Sequence, residues 1–349
     1  MRDGRSNDPR APSPGPSLVL LAVTVAVCLL FLELGLRWSL GAAPAWRYPQ
    51  EAYRADPVAA YALRPLQDAY TIDAPAHINS QGLRDAEFSD EPAPNVLRLL
   101  ALGDSQTFGV GIRLEDTWPK QLERALDEAQ PARHFEVLNA GLPASATWNH
   151  ARRLPGLLDT YHPTCVVVGI YPNDVVWVRG TSPFGTEERP ELSTQMIYLA
   201  KRSVLVNALL AVSRSYCRSQ GEDAVRHEQA VLRDDAIPSV EEGWTQVQAS
   251  LDAIRAHAAA HHACLVLLAM PRIDQVDGRE PAVGYQRRLG VLADRLGIPL
   301  VDPLENLRQA KTEPLLVPWD GHYAGVAQRV MARALVPQVL AALSPRDPH

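Results

Sequence analysis

Four short blocks of this chain hold residue types that could carry out acyl transfer if they met. They are Gly103-Asp104-Ser105, Gly141, Asn173 within Gly169-Ile170-Tyr171-Pro172-Asn173-Asp174, and Asp320-Gly321-His322. Transfer of an acyl group through an alcohol needs a hydroxyl, a base to take its proton, a group that orients the base, and donors for the oxyanion. Ser105 supplies the hydroxyl. His322 supplies an imidazole, which exchanges protons near neutral pH, and Asp320 can hold one ring nitrogen if the backbone turns at Gly321. Gly141 has no Cβ and can bring its N–H close to a ligand; the Asn173 amide is a second neutral donor. Taken singly, each block has a plainer reading: Asp104 or Ser105 as a turn cap, Asp174 and Asp320 as helix caps.

These residues need elements that bring them to one place. The apolar run Leu99-Leu100-Ala101-Leu102 stops abruptly at Gly-Asp-Ser, which reads as a buried strand whose carboxyl end turns sharply. Further candidate strands are Phe135–Asn139, Cys165–Ile170, Cys264–Met270 and Ile298–Val301, with Val96–Leu102 as the first. Helical periodicity fills the intervals. After Ser239, Val240, Trp244, Val247, Leu251 and Ile254 form one stripe, and Ser239 with Glu242 makes a capping box. Such alternation implies an α/β fold with a parallel sheet and helices on both faces. Gly141 then follows the second strand, Asn173 the third, and His322 stands at or just before a helical run through Val326, Val330 and Leu335. Ligands bind at the carboxyl edge of such sheets. Trp177 to Pro238 is too long for an ordinary connection and contains an apolar helical stretch from Met196 to Val212, so it reads as an insertion near the mouth of the site.

The blocks Gly103-Asp104-Ser105-Gln106-Thr107, Gly141, Gly-x-x-x-Asn-Asp around Asn173, and Asp320 with His322 resemble the SGNH (GDSL-type) hydrolase family over about residues 96 to 343. The resemblance implies a flavodoxin-like three-layer α/β/α sandwich. It implies Ser105 as nucleophile, His322 as base and Asp320 as its orienter. The oxyanion hole would be the N–H groups of Ser105 and Gly141 with the Asn173 side-chain nitrogen. The Asp-x-His spacing departs from the family's better-known Asp-x-x-His and is similar to that of membrane-linked members that move acetyl groups on polysaccharides. Asp302, after the fifth strand, is a rival orienter.

The chain has 349 residues, 46% of them hydrophobic, and a net charge of −6. That balance gives no electrostatic footprint for nucleic acid. No cofactor or metal is called for: Gly109-Val110-Gly111 lacks the third glycine of a dinucleotide loop, and no Walker-type lysine follows Gly103. His257 and His261 lack the acidic partner of a metalloprotease helix and read as a polar helix end. The four cysteines, Cys28, Cys165, Cys217 and Cys264, read as small hydrophobes rather than a disulfide framework.

Met1 to Pro16 is too polar to fold and reads as a disordered tail. From residue 17 to 40 the chain is uncharged apart from Glu33 and Arg37 and mostly apolar, long enough for one N-terminal transmembrane helix with Arg37 and Trp38 near one interface. A cleaved signal peptide has the same beginning, and Gly41-Ala42-Ala43-Pro44-Ala45 offers small residues at a cleavage point. The anchor reading puts the N-terminus inside and the catalytic domain outside the cytoplasm, in a periplasmic setting. Residues 41–95 form a proline-rich linker and packing segment, with a hairpin expected over Ile78–Arg84 and Gly82 at its turn. The remaining 96–345 form the hydrolase-like domain. The resulting expectation is a single-pass membrane serine esterase acting on an O-acyl ester, on a carbohydrate or envelope substrate, through an acyl-enzyme on Ser105. Two alternatives stay open: an O-acetyltransferase of polysaccharide using the same residues, and a non-catalytic glycan-binding module.

Overall fold

The computed structural model describes residues 15–42, 46–176, 191–219 and 223–344. Helix α1 (Gly15–Leu40) starts inside the stretch expected to be a tail; the rest of that stretch lies outside the described residues. Over Leu18–Leu40 α1 is long and apolar enough to cross a membrane, and none of its residues there is buried in the rest of the chain. Two antiparallel pairs follow, β1 (Tyr53–Asp56) with β2 (Ala60–Leu63) and β3 (Gln67–Thr71) with β4 (Ala74–Ile78).

The hairpin expected over Ile78–Arg84 is therefore displaced, since Ile78 ends β4 and no returning strand follows. Gly82 does take a positive φ of 77°, but the Asn79 side chain captures the amides of Gln81 and Leu83 at 3.1 and 2.9 Å. An Asx-type turn replaces the strand. Arg84 then runs inward instead of along an edge.

The main sheet consists of β5 (Val96–Leu102), β6 (His134–Asn139), β7 (Cys165–Ile170), β8 (Cys264–Ala269) and β9 (Leu300–Val301), all parallel, in the order β6-β5-β7-β8-β9. Side chains alternate between two cores. Leu100, Leu102, Val166, Val168, Leu267 and Ala269 face one side, and Leu99, Ala101, Val167, Val266 and Leu268 the other. Burying a Leu or Val in this way contributes about 1.5–3 kcal/mol, which is why β7 and β8, covered on both faces, read as unbroken apolar runs. The first side is covered by α4 (Thr147–Tyr161), α8 (Asp223–Arg233), α9 (Pro238–Ala260) and α11 (Gly284–Leu296). The second is covered by α3 (Trp118–Ala129), the short α10 (Ile273–Val276), α12 (Leu304–Gln309) and α13 (Gly325–Leu343). The fold is thus the three-layer sandwich expected, and β5 lies at the switch point between β6 and β7, where such sheets bind ligands.

Three local expectations are corrected. Helix α9 has no capping box: Pro238 occupies its first turn, Ile237 is the N-cap, and Ser239 is already inside. The predicted stripe from Val240 to Ile254 is nevertheless buried. The insertion has two apolar helices, α6 (Glu191–Ala200) and α7 (Val204–Ser219), in place of one continuous stretch; residues 177–190 and 220–222 lie outside the described residues. Finally, Cys165 and Cys264 are not separate small hydrophobes. They sit opposite each other in the β7–β8 register and form a disulfide that closes a loop of 99 residues.

Candidate active site

Ser105 opens the short helix α2 (Ser105–Phe108) at the end of β5. Its N–H is among the first of that turn and has no intrahelical acceptor. Ser105 is part-exposed among neighbours that are buried on both sides, including Asp104 and Gln106. Asp104 does two jobs. One carboxyl oxygen accepts from the Gln106 N–H at 2.9 Å and caps α2, while the other accepts from Asn173 Nδ2 at 3.0 Å. Burial pushes the Asp104 carboxyl up, against the Asn173 amide, the Gln106 N–H and the charge of His322.

Asn173 begins α5 (Asn173–Val176) after β7. That short helix is set by α9, whose Gly243 approaches so closely that a Cβ there would stand 1.8 Å from the Val175 carbonyl oxygen. Asp174 is buried, and its Oδ2 accepts from the Tyr171 N–H at 2.8 Å, a cap as expected. Burial and the nearby Asp104 charge hold its carboxyl well above the ordinary range. With one amide hydrogen donated to Asp104, Asn173 keeps a second for a ligand.

Gly141 follows β6 and is pressed against α2. A Cβ on it would lie 2.2 Å from Phe108 N and 2.8 Å from the Thr107 carbonyl carbon. Its N–H donates to Asn139 Oδ1 at 3.1 Å, so a ligand oxygen must share or displace that bond.

The base side is built differently. Leu316 bridges Tyr323, the Val317 N–H donates to the His322 carbonyl at 2.9 Å, and the chain reverses between them. The bend falls on Trp319, whose φ is +63°, and not on Gly321 as expected. An αL conformation at a bulky residue costs about 1–3 kcal/mol and is found mainly where function holds it. Asp320 Oδ1 accepts from the His322 N–H at 3.0 Å and also from His322 Nδ1. One Asx-type turn therefore explains why two-residue spacing suffices for an Asp–His pair. Burial opposes ionisation of Asp320, but its bonds from His322 outweigh that and hold the carboxyl below the ordinary range. Asp302, the rival orienter, instead caps α12 through the Leu304 N–H at 3.0 Å.

The two sides are joined by Gln106, which stands in the first block but carries no role there. Its Oε1 accepts from the Tyr323 N–H at 3.0 Å, and its carbonyl accepts from Gln328 Nε2 at 2.9 Å. The residue after Ser105 thus holds the residue after His322. Among the described residues, neither the Ser105 hydroxyl nor His322 Nε2 has a hydrogen-bond partner, so the two are not bonded to each other. In free enzymes such contacts are commonly long and tighten around substrate.

Two further groups were not legible in the motifs. Arg84 is buried and donates to the carbonyls of Phe108, Gly109 and Ile112 at 2.8, 2.6 and 2.6 Å, clamping the N-terminal segment onto α2. Glu51 reaches the same region; its Oε2 is shut off from water without a partner. Burial raises the Glu51 carboxyl to about 7, against the charges of Arg84 and His322. His261 ends α9 with one ring nitrogen on the His257 carbonyl and the other on Asp159, at 2.9 and 2.8 Å. Among the described residues, no cluster of three or more His, Cys, Asp or Glu is arranged to hold a metal.

The model of the GDSL-like lipase/acylhydrolase family matches residues 101–324, well over half of the chain, from the end of β5 to just past His322. The chain belongs to this family. The GDSL-like match takes in Ser105, Gly141, Asn173, Asp320 and His322 together. An arylesterase of Vibrio mimicus is 36% identical over 86 residues, which make up 25% of this chain and 41% of the relative, so the chain spans less than half of that relative's length. Among solved structures, a psychrotrophic esterase from Pseudoalteromonas sp. superposes with a TM-score of 0.42 and 14% identity, covering 70% of this chain and 97% of the other. An acetylxylan esterase from Geobacillus stearothermophilus gives 0.42 and 14%, covering 72% and 95%.

Proposed function

We propose that this GDSL-like family member is a serine-dependent carboxylic ester hydrolase that works through an acyl-enzyme on Ser105. The observation that carries the reading is the convergence on one turn: Asn173 is bonded to Asp104, and the His322 loop is bonded to Gln106, the residues on either side of Ser105. With Nδ1–H donated to Asp320, the lone pair of His322 lies on Nε2. That nitrogen takes the Ser105 proton as the hydroxyl oxygen attacks the ester carbonyl. The oxyanion is met by the Ser105 N–H, the second hydrogen of Asn173 Nδ2, and the Gly141 N–H as it gives up Asn139. His322 returns the proton to the departing alcohol, and water, activated by the same nitrogen, frees the acid and Ser105. No cofactor takes part.

The proposed substrate is an O-acyl ester on a carbohydrate of the cell envelope, with the catalytic unit over about 96–345, the segment 41–95 packed against it, and α1 as a single-pass anchor. The Cys165–Cys264 bridge supports an extracytoplasmic location, because disulfides persist in oxidising compartments. Labelling with a fluorophosphonate tests the mechanism. The native chain should be labelled on Ser105, and Ser105→Ala should be unlabelled with an unchanged melting temperature. A folded native chain that neither reacts nor hydrolyses acylated sugars would point instead to a binding module.

A further inference from the structure

We propose that helices α6 and α7 of the insertion form a second lipid-contacting element, seated in the bilayer interface beside α1 and fastened to it by Glu33. Glu33 is the single acidic residue of the apolar stretch, and it is not left to the hydrocarbon. Its carboxylate accepts from Ser203 Oγ at 2.8 Å and from the first N–H groups of α7, Val204 and Leu205, at 3.0 and 2.9 Å. Arg37 Nε donates to it at 2.7 Å, and the Arg37 guanidinium continues to the Arg202 carbonyl at 2.9 Å. An intramembrane carboxylate is costly and is almost always paired, and the free amides of a helix start need an acceptor wherever water is absent.

The depth agrees. Glu33 precedes Leu40 by seven residues, about 10 Å along the helix, which matches the roughly 5–10 Å to which interfacial helices sink their apolar faces. Met196, Leu199, Leu209 and Val212 on α6 and α7 are 59–66% exposed, which adds uncovered apolar side chains to those of α1. At the end of α1 stands a belt of aromatic and basic residues. Trp46 stacks on Tyr198 at 5.8 Å, Lys201 Nζ lies 4.1 Å from the Trp46 ring centre, and Arg202 Nε donates to the Trp46 carbonyl at 2.9 Å. Arg47 and Arg202, with Tyr48 and Tyr70, line a recess of about 440 Å³ beside it. Aromatic rings of this kind collect at headgroup level on both sides of a bilayer, and lysine and arginine side chains near helix ends reach to the same level, where lipid phosphates meet them. A bilayer is thus the one occupant that covers α1, α6 and α7 and meets this belt with complementary charge.

The full-length chain, with Cys28→Ser and Cys217→Ser, is reconstituted in vesicles of phosphatidylethanolamine and phosphatidylglycerol. A polarity-sensitive fluorophore is attached at Met196→Cys, Leu209→Cys or, as a water-exposed reference on α3, Glu128→Cys. Probes at 196 and 209 should be quenched by lipids carrying a spin label on the acyl chain, and several-fold less by aqueous iodide than the probe at 128. Iodide quenching equal to that at 128 would overturn the proposal. So would shielding from both quenchers in a cross-linkable dimer, which would give the surface to a second copy. Separately, Glu33→Ala should raise amide exchange at residues 203–207 by about tenfold or more, with Glu33→Gln intermediate; unchanged exchange would remove Glu33 as the fastening.

Discussion

The two sides of the site are held by different physics. On the oxyanion side, Gly141 lies against the backbone of α2, Gly243 lets α9 meet α5, and buried Asp104 binds Asn173. On the base side, Asp320 and His322 sit on a part-exposed turn whose tie to α2 is the Gln106–Tyr323 hydrogen bond. The oxyanion side is therefore continuous with the core, while the base side is a loop laid on it. The contrast predicts that damage to the base side costs rate with little stability, and that damage to the oxyanion side costs both.

The largest effect should come from His322→Ala, which lowers kcat by about 10⁴–10⁶ while the melting temperature stays within a degree or two; ester turnover and calorimetry on the same sample decide it. Next, Asn173→Ala should reduce kcat by about 10²–10³ and also destabilise the fold by about 1–3 kcal/mol, because Asp104 Oδ2 loses its donor in a buried site. If stability is untouched, the two sides are not as different as claimed. Gly141→Ala inverts the emphasis: its Cβ would meet the Phe108 backbone at 2.2 Å, and denaturant titration should register a loss of about 3 kcal/mol. The smallest effect concerns Glu51, whose carboxyl is held at about 7 against an ordinary 4.5. Its contribution to stability is intact below pH 4.5 and is lost as pH rises toward 7. Glu51→Gln should flatten that decline by at most about 3 kcal/mol, less where water reaches Oε1.

The same contrast explains what could be read from the chain alone. β5 and β7 matched their expected spans because both faces are buried, and the one polar residue within them, Arg98, is taken up by Glu136 of β6. Ser105, Gly141, Asn173, Asp320 and His322 were legible as blocks because each follows the last apolar residue of an element or stands in a short turn. What holds the blocks together was not legible. Gln106 and Gln328 are uncharged polar residues whose importance appears only when the first turns of two helices, 222 positions apart, are seen in contact. The Cys165–Cys264 bridge required the register of two strands separated by the whole insertion. Gly321 seemed the natural pivot on backbone grounds, but the pairing of Leu316 with Tyr323 moves the bend to Trp319.

The bridge between β7 and β8 makes a closed ring of everything from α5 to α9. A protease that nicks the insertion would produce two polypeptides that still travel as one molecule, with Ser105 on the first piece and His322 on the second. Such a clipped form would come apart on a denaturing gel only after a thiol is added, and it could keep working unnoticed until then.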